Sequence, residues 1–307
     1  MASSRDIKSR IKSVKNTQKI TQAMKMVAAA KVKRAETTVK ASRPFSNNLA
    51  EIFKQLLLAK PEINNAQNLK YSTPIENYPE LLKQREIKTV ALLVITSDKG
   101  LAGSYNATVV KKAINEIKDL KAKGYDTKLF IVGNKGIASL SREFKNTNVE
   151  IIQKYTKLPA VPTIGSASVM ADDIAEAYID GKIDKIEIIT TKFRSMISYK
   201  VEKIDLLPVV PPKNEHNNQV SSEMLFEPSP EVILQKIVPL YISNTIYSSL
   251  LEAAASELAS RMNAMSNATK NAQEMIQNLT LSYNKIRQAS ITQEILEVVG
   301  GANALGA

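Results

Sequence analysis

Cysteine and tryptophan are absent from this sequence, and histidine occurs once. Without cysteine there is no disulfide framework, no thiol nucleophile and no cysteine-based zinc site. The one histidine, His216, lies in the polar stretch PPKNEHNN with no partner at the spacing a metal site or triad requires, so it reads as solvated. No apolar run approaches the roughly 20 residues needed to span a bilayer. The opening residues, MASSRDIKSR, lack the apolar core of a secretory signal. These absences leave a protein that is soluble, or peripheral to a membrane through partners.

What is present is a chain of 307 residues, 44% hydrophobic, with a net charge of +12. Residues 1–43 hold twelve Lys or Arg against Asp6 and Glu36, a net of +10, whereas residues 231–307 come to −1. A basic excess concentrated on one element predicts an acidic partner: a nucleic acid, a membrane surface or an acidic protein loop.

Glycine and proline are missing from Ala2 to Arg43, and Pro44 is expected to end that run. Steps of four and three from Ile7 reach Ile11, Val14, Gln18, Thr21, Lys25, Ala28, Val32, Ala35 and Val39. This 3.5-residue period predicts a helix with one stripe turned toward a partner helix. At the other end, Ser229 and Pro230 form a start signal, Pro239 predicts a kink, and no glycine or proline follows until Gly300. Its heptad positions are Leu258, Met262, Met265, Thr269, Ala272, Ile276, Leu279, Tyr283 and Ile286. Two helices of such length, separated by a domain, pair most simply as an antiparallel coiled coil. Gln18, Thr21, Lys25 and Thr269 put polar groups on the seam. They either fix register or tune the seam to bend, and Lys25 either snorkels outward or meets an acid.

Between the helices, residues 88–97, 128–132 and 185–189 are apolar runs typical of buried strands, separated by helical stretches around 104–123, 134–145 and 165–181. Residues 196–207 alternate as an edge strand or hairpin would. The fold class is therefore α/β, a Rossmann-like domain inserted between two coiled-coil helices. Its expected bounds are 1–57 for the first helix, 58–86 for a connecting segment, 87–210 for the α/β domain, 211–228 for a loop and 229–307 for the second helix. The turn TSDKGLAGS at 96–104 carries Gly100 and Gly103 between strand and helix, yet matches neither phosphate-binding fingerprint. The second glycine pair, in VGNKG at 132–136, is less specific still. Asp172 and Asp173 are consecutive on a helix and make a poor acid–base pair. No catalytic, metal or cofactor site is assigned.

The stretch RIKSVKNTQKITQAMKMVAAAK at 10–31 closely resembles the amino-terminal helix of F-type ATP synthase gamma subunits. YNKIRQASITQEILEVVGGANA at 283–304 resembles that family's carboxyl-terminal signature, and SELASRMNAM at 256–265 and TSDKGLAG at 96–103 fit in the same order. The resemblance implies the non-catalytic central rotor shaft of a proton- or sodium-driven synthase. Its implied partners are the alpha and beta subunits, the epsilon subunit and the membrane c-subunit ring. Arg287 and Gln288 match positions that bond beta-subunit loops, and Lys19 and Lys25 belong to a basic stripe that would face acidic beta-subunit levers. Glu227 resembles a position near the c-ring and epsilon contact. The implied location is peripheral, on the cytoplasmic face of a bacterial plasma or thylakoid-type membrane. Segment 58–86 is longer than in a minimal bacterial member, and the cysteine-bearing insertion of chloroplast members is missing. The rival reading is a basic coiled coil that binds nucleic acid; against it, no base-reading module is present.

Overall fold

The computed structural model describes residues 4–58, 73–83, 85–208, 227 and 230–305. The chain divides into two compact units: Met1–Ala30 with Arg261–Ala307, and Lys31–Ser260. The first helix, α1 (Ser4–Leu58), and the last, α6 (Pro230–Leu305), contribute residues to both.

The first unit is a two-helix antiparallel pair. The Gln18 side-chain amide donates to Gln273 Oε1 at 2.6 Å, and the hydroxyl oxygens of Thr21 and Thr269 lie 2.9 Å apart. An α1 residue therefore faces the α6 residue whose number brings the two to about 290. The predicted seam is the observed one. Ile7, Thr21, Ala28, Met265, Ala272 and Ile276 are buried, and Ile11, Val14, Gln18, Lys25, Met262, Thr269, Leu279, Tyr283 and Ile286 are half-buried.

The second unit is built on a five-stranded sheet in the order β3-β2-β1-β4-β5. Strands β1 (Thr89–Ile95), β2 (Asp126–Val132), β3 (Glu150–Tyr155) and β4 (Lys185–Ser195) run parallel, and β5 (Ser198–Leu207) returns antiparallel along β4 as the predicted edge hairpin. The connecting helices are α3 (Tyr105–Ala122), α4 (Asn134–Glu143) and α5 (Ile164–Ile179). Side chains alternate across the central strand as a period of two demands. Ala91, Leu93 and Ile95 join α5, Phe53 and Leu56 of α1, and Leu234, Val238, Ile242 and Ile246 of α6 in one core. Val90, Leu92 and Val94 join α3 and Leu140 of α4 in the other.

Two features depart from expectation. Helix α1 does not stop at Arg43; it continues through Pro44 to Leu58. A proline inside a helix costs about 3 kcal/mol or more through a lost hydrogen bond and a clash with the preceding turn. Beyond it, Leu49, Phe53 and Leu56 are each at most 5% exposed, and burying each such side chain contributes about 1.5–3 kcal/mol. Phe53 also stacks on Tyr241 at 4.6 Å. Burial thus outweighs the break. Helix α6, beginning at Pro230 as expected, runs through Pro239 and past Gly300 as one helix of 76 residues. Strand β3 has no counterpart in the sequence reading. Its residues EIIQKY form a half-exposed edge, so the apolar run that marks an interior strand is missing. In the connecting segment, a 3₁₀ turn (Pro74–Glu76) and the short helix α2 (Tyr78–Leu82) pack their Ile75, Leu81 and Leu82 into the core.

Candidate partner-contacting surface

The α1–α6 register decides where the predicted contact residues fall. With partners adding to about 290, Ile7 of α1 falls opposite the turn of α6 around Tyr283. Arg287 and Gln288 follow Ile286, the last half-buried position of the α6 seam, and every residue from Arg287 to Gly300 is exposed. Five of them are large and apolar: Ile291, Ile295, Leu296, Val298 and Val299. A helix in water ordinarily turns one apolar stripe to its own core, so a bare apolar helix end marks a surface for another molecule. Arg287 adds a planar donor fork suited to carboxylates.

Lys19 is exposed on α1, on one face with Lys8, Lys12 and Lys15, and these and Arg10 are exposed as well. Lys25 is half-buried and forms no ion pair among the described residues. Half-burial without an acidic partner fits the snorkelling alternative better than the paired one. Lys19, Lys25, Arg287 and Gln288 thus belong to one unit, the helix pair. Glu227 is exposed and lies apart from them in sequence and unit, and His216 falls outside the described residues.

The glycine turn after β1 is a closed structure. Asp98 accepts from the Asn134 backbone N–H at 3.0 Å, from the Asn134 side-chain amide at 2.9 Å and from the Lys157 N–H at 2.9 Å. The loop's own carboxylate therefore occupies the anion position at the start of α4. Thr96 Oγ1 donates to the Val132 carbonyl and accepts from the Gly136 N–H at 2.9 Å. This accounts for the glycines of VGNKG. A Cβ on Gly133, whose φ is 92°, would lie 2.5 Å from Thr96 O, and one on Gly136 would lie 2.6 Å from Thr96 Oγ1. Doubly wound sheets hold ligands beyond the carboxyl ends of their strands. Here α6 lies against that edge, with Ser260 Oγ donating to Ala102 O at 2.6 Å and Thr190 Oγ1 donating to Ser249 O at 3.2 Å. Of the two consecutive acids, Asp173 is hydrogen-bonded, whereas Asp172 keeps a buried oxygen, Oδ1, without a hydrogen bond. Asp173 accepts from the Tyr155 hydroxyl at 2.7 Å, and burial, reinforced by Asp173, raises the Asp172 carboxyl above its ordinary range.

Among the described residues no group of histidine, aspartate or glutamate has the arrangement of a metal site, and no helix is long and apolar enough to cross a membrane. Sequence reasoning missed the roles of Asp98 and Ser260. Their only signal was their place inside recognisable motifs, where they were read as part of a pattern rather than as hydrogen-bonding groups.

Comparison with known proteins agrees with the architecture. The ATP synthase family profile matches residues 3–305. The ATP synthase gamma chain of Gloeothece citriformis is 44% identical over 97% of this chain and 98% of its own length. That of Cyanothece sp. is 43% identical over 99% and 100%. Among solved structures, a central stalk/c-ring chain from the Tetrahymena thermophila mitochondrial ATP synthase superposes with a TM-score of 0.54 at 28% identity, covering 81% of this chain and 99% of its own. A chain of the Euglena gracilis mitochondrial ATP synthase reaches 0.66 at 16% identity over 98% and 94%, a likeness of fold. The paired terminal helices, the five-stranded mixed sheet between them and full-length similarity lead to one assignment: this chain belongs to the ATP synthase gamma chain family.

Proposed function

We propose that this chain is the central rotor shaft of a proton- or sodium-driven F-type ATP synthase, carrying torque between the membrane c-ring and the catalytic alpha/beta ring without catalysing a reaction itself. The observation that carries this reading is the end of α6, where every residue from Arg287 to Gly300 is exposed and five of them are large and apolar. A surface that slides inside a sleeve of other subunits needs apolar contact without fixed bonds, and the segment 288–299 has only Glu294 and Glu297 as charged groups. Arg287 and Gln288 supply directional contacts to beta-subunit loops. Lys19 and Lys25 belong to a basic stripe that faces acidic beta-subunit levers, where each exposed pair contributes about 0–1 kcal/mol and the summed field does the guiding.

In this reading residues 1–57 and 229–307 form the shaft and 87–210 the α/β domain, joined by 58–86 and 211–228. Glu227 lies toward the epsilon subunit and c-ring, on the cytoplasmic face of the membrane. The purified chain should hydrolyse no ATP and should restore hydrolysis when combined with alpha and beta subunits. Turnover by the chain alone would sink the proposal. In the combined complex, Arg287→Ala should lower the rate roughly tenfold, the scale of one lost charge-assisted contact, while leaving the chain's own melting temperature unchanged.

A further inference from the structure

Strand β4 outruns its neighbour: the β1–β4 ladder ends at Val94 and Ile189, whereas β4 continues to Ser195. Beyond that point the β1-side edge of β4 has no strand to pair with, and exposed N–H and C=O groups there would be costly once buried. Two helices fill the gap at one residue. Glu252 of α6 accepts from the Phe193 N–H at 2.7 Å, and Arg43 of α1 donates from Nη2 to the Phe193 carbonyl at 2.7 Å. Arg43 closes the ring by gripping the same carboxylate, with Nε 2.8 Å from Oε1 and Nη2 3.1 Å from Oε2. Glu252 is buried, Phe193 is 3% exposed, and the paired carboxylate holds the guanidinium more firmly protonated than usual. All three residues belong to the unit Lys31–Ser260.

We propose that this Arg43–Glu252–Phe193 junction is a torsional lock, the point at which rotation of the two shaft helices is fixed to the α/β sheet. Apolar packing alone lets helices roll against a sheet, because its energy changes little with small rotation. Two charge-assisted hydrogen bonds to the backbone of one strand residue, braced by two more between the side chains that make them, do not, because they fail within a few tenths of an ångström or a few tens of degrees. The lock binds α1 and α6 to each other and to the strand simultaneously. Torque applied to the sheet thus passes to both helices without slip. Arg43 and Glu252 are positioning residues; they touch no reactant.

This inference rests on the rotor reading, and its test separates the two. The complete synthase is reconstituted in vesicles with wild-type chain, and ATP hydrolysis and ATP-driven ion uptake are measured together. Wild type failing to couple the two overturns the rotor reading itself. With coupling established, Arg43→Ala should leave hydrolysis within about twofold while ions moved per ATP fall at least about fivefold, the lower end of couplings between sites. Arg43→Lys, which keeps the charge but not the fork, should fall between. A disulfide between cysteines placed at Thr190 and Ser249, where the same helix meets the same strand, should restore the ratio in the alanine background. An unchanged ratio in Arg43→Ala, or hydrolysis and uptake lost in equal proportion, overturns the lock. If the alanine variant fails to assemble, Arg43→Lys decides: a lowered ratio supports the lock and an unchanged one refutes it.

Discussion

The same two helices live in two environments. In the unit Lys31–Ser260, Val32, Val39, Phe53 and Leu56 of α1 are at most 2% exposed, as are Leu234, Val238, Ile242 and Ile246 of α6. In the unit Met1–Ala30 with Arg261–Ala307, the seam alternates Ile7, Ala28, Ala272 and Ile276 with Gln18, Thr21, Lys25 and Thr269. A helix covered on several sides is held by area removed from water, about 25 cal/mol per Å². A helix with one partner has little area to bury, and polar pairs at defined heights then set its register. The difference teaches that stability and specificity have been assigned to different stretches of one continuous pair of helices.

The largest effect that sharpens this contrast is in the sheet. Leu93→Ala should destabilise the unit Lys31–Ser260 by about 2–5 kcal/mol, and Ile276→Ala should cost the helix pair less than half as much, because its site collapses more easily. Denaturant melts followed by site-specific probes in each unit would measure both. Equal costs would break the comparison.

A smaller effect separates the units by pH. Glu116 sits between Lys203 at 2.8 Å and Lys112 at 3.4 Å. Burial pushes its carboxyl upward, but the hydrogen bonds and charges of Lys203 and Lys112 win, holding it below its ordinary value of 4.5. A carboxyl lowered on folding contributes stability that is fully present above its unfolded value and is lost as pH falls through its folded one. The Lys31–Ser260 unit should therefore weaken as pH drops below 4.5, and Glu116→Gln should reduce that slope in acid melts. An unaltered slope would contradict the assignment.

The smallest effect concerns the polar seam. The double variant Thr21→Val with Thr269→Val removes both partners and keeps their shape, which is near neutral or stabilising by up to about 1 kcal/mol. Removing one partner alone should cost about 1 kcal/mol or more. If the seam fixes register, the double variant should melt normally yet show additional cross-linked products between cysteines placed one heptad out of register. A single product would show that the apolar positions suffice.

The helix pair was legible because a seam repeated over many turns is a strong periodic signal, and its buried positions match the structure from Ile7 to Ile286. The interior strands were legible because β1 and β2 are buried on both faces and read as unbroken apolar runs. What stayed hidden depends on neighbours distant in sequence. Pro44 reads as a stop because local propensity favours one, and only the core that receives Phe53 and Leu56 reverses it. Strand β3 lies half-exposed at an edge, and Arg43 and Glu252, 209 positions apart, carry no local mark of their shared carboxylate–guanidinium contact. The candidate contacts Arg287, Gln288, Lys19, Lys25 and Glu227 came from resemblance; Arg287 and Gln288 stand where the half-buried α6 seam gives way to an exposed helix end.

Rotation is the most direct test of the central claim. The absence of cysteine allows a single attachment point at Ile197→Cys, on the β4–β5 turn, where the native side chain is 83% exposed. With alpha and beta subunits fixed to a surface and a bead on that cysteine, ATP should drive continuous rotation in one direction that stops when ATP is withdrawn. A bead that stays still while the same complexes hydrolyse ATP would contradict the rotor account.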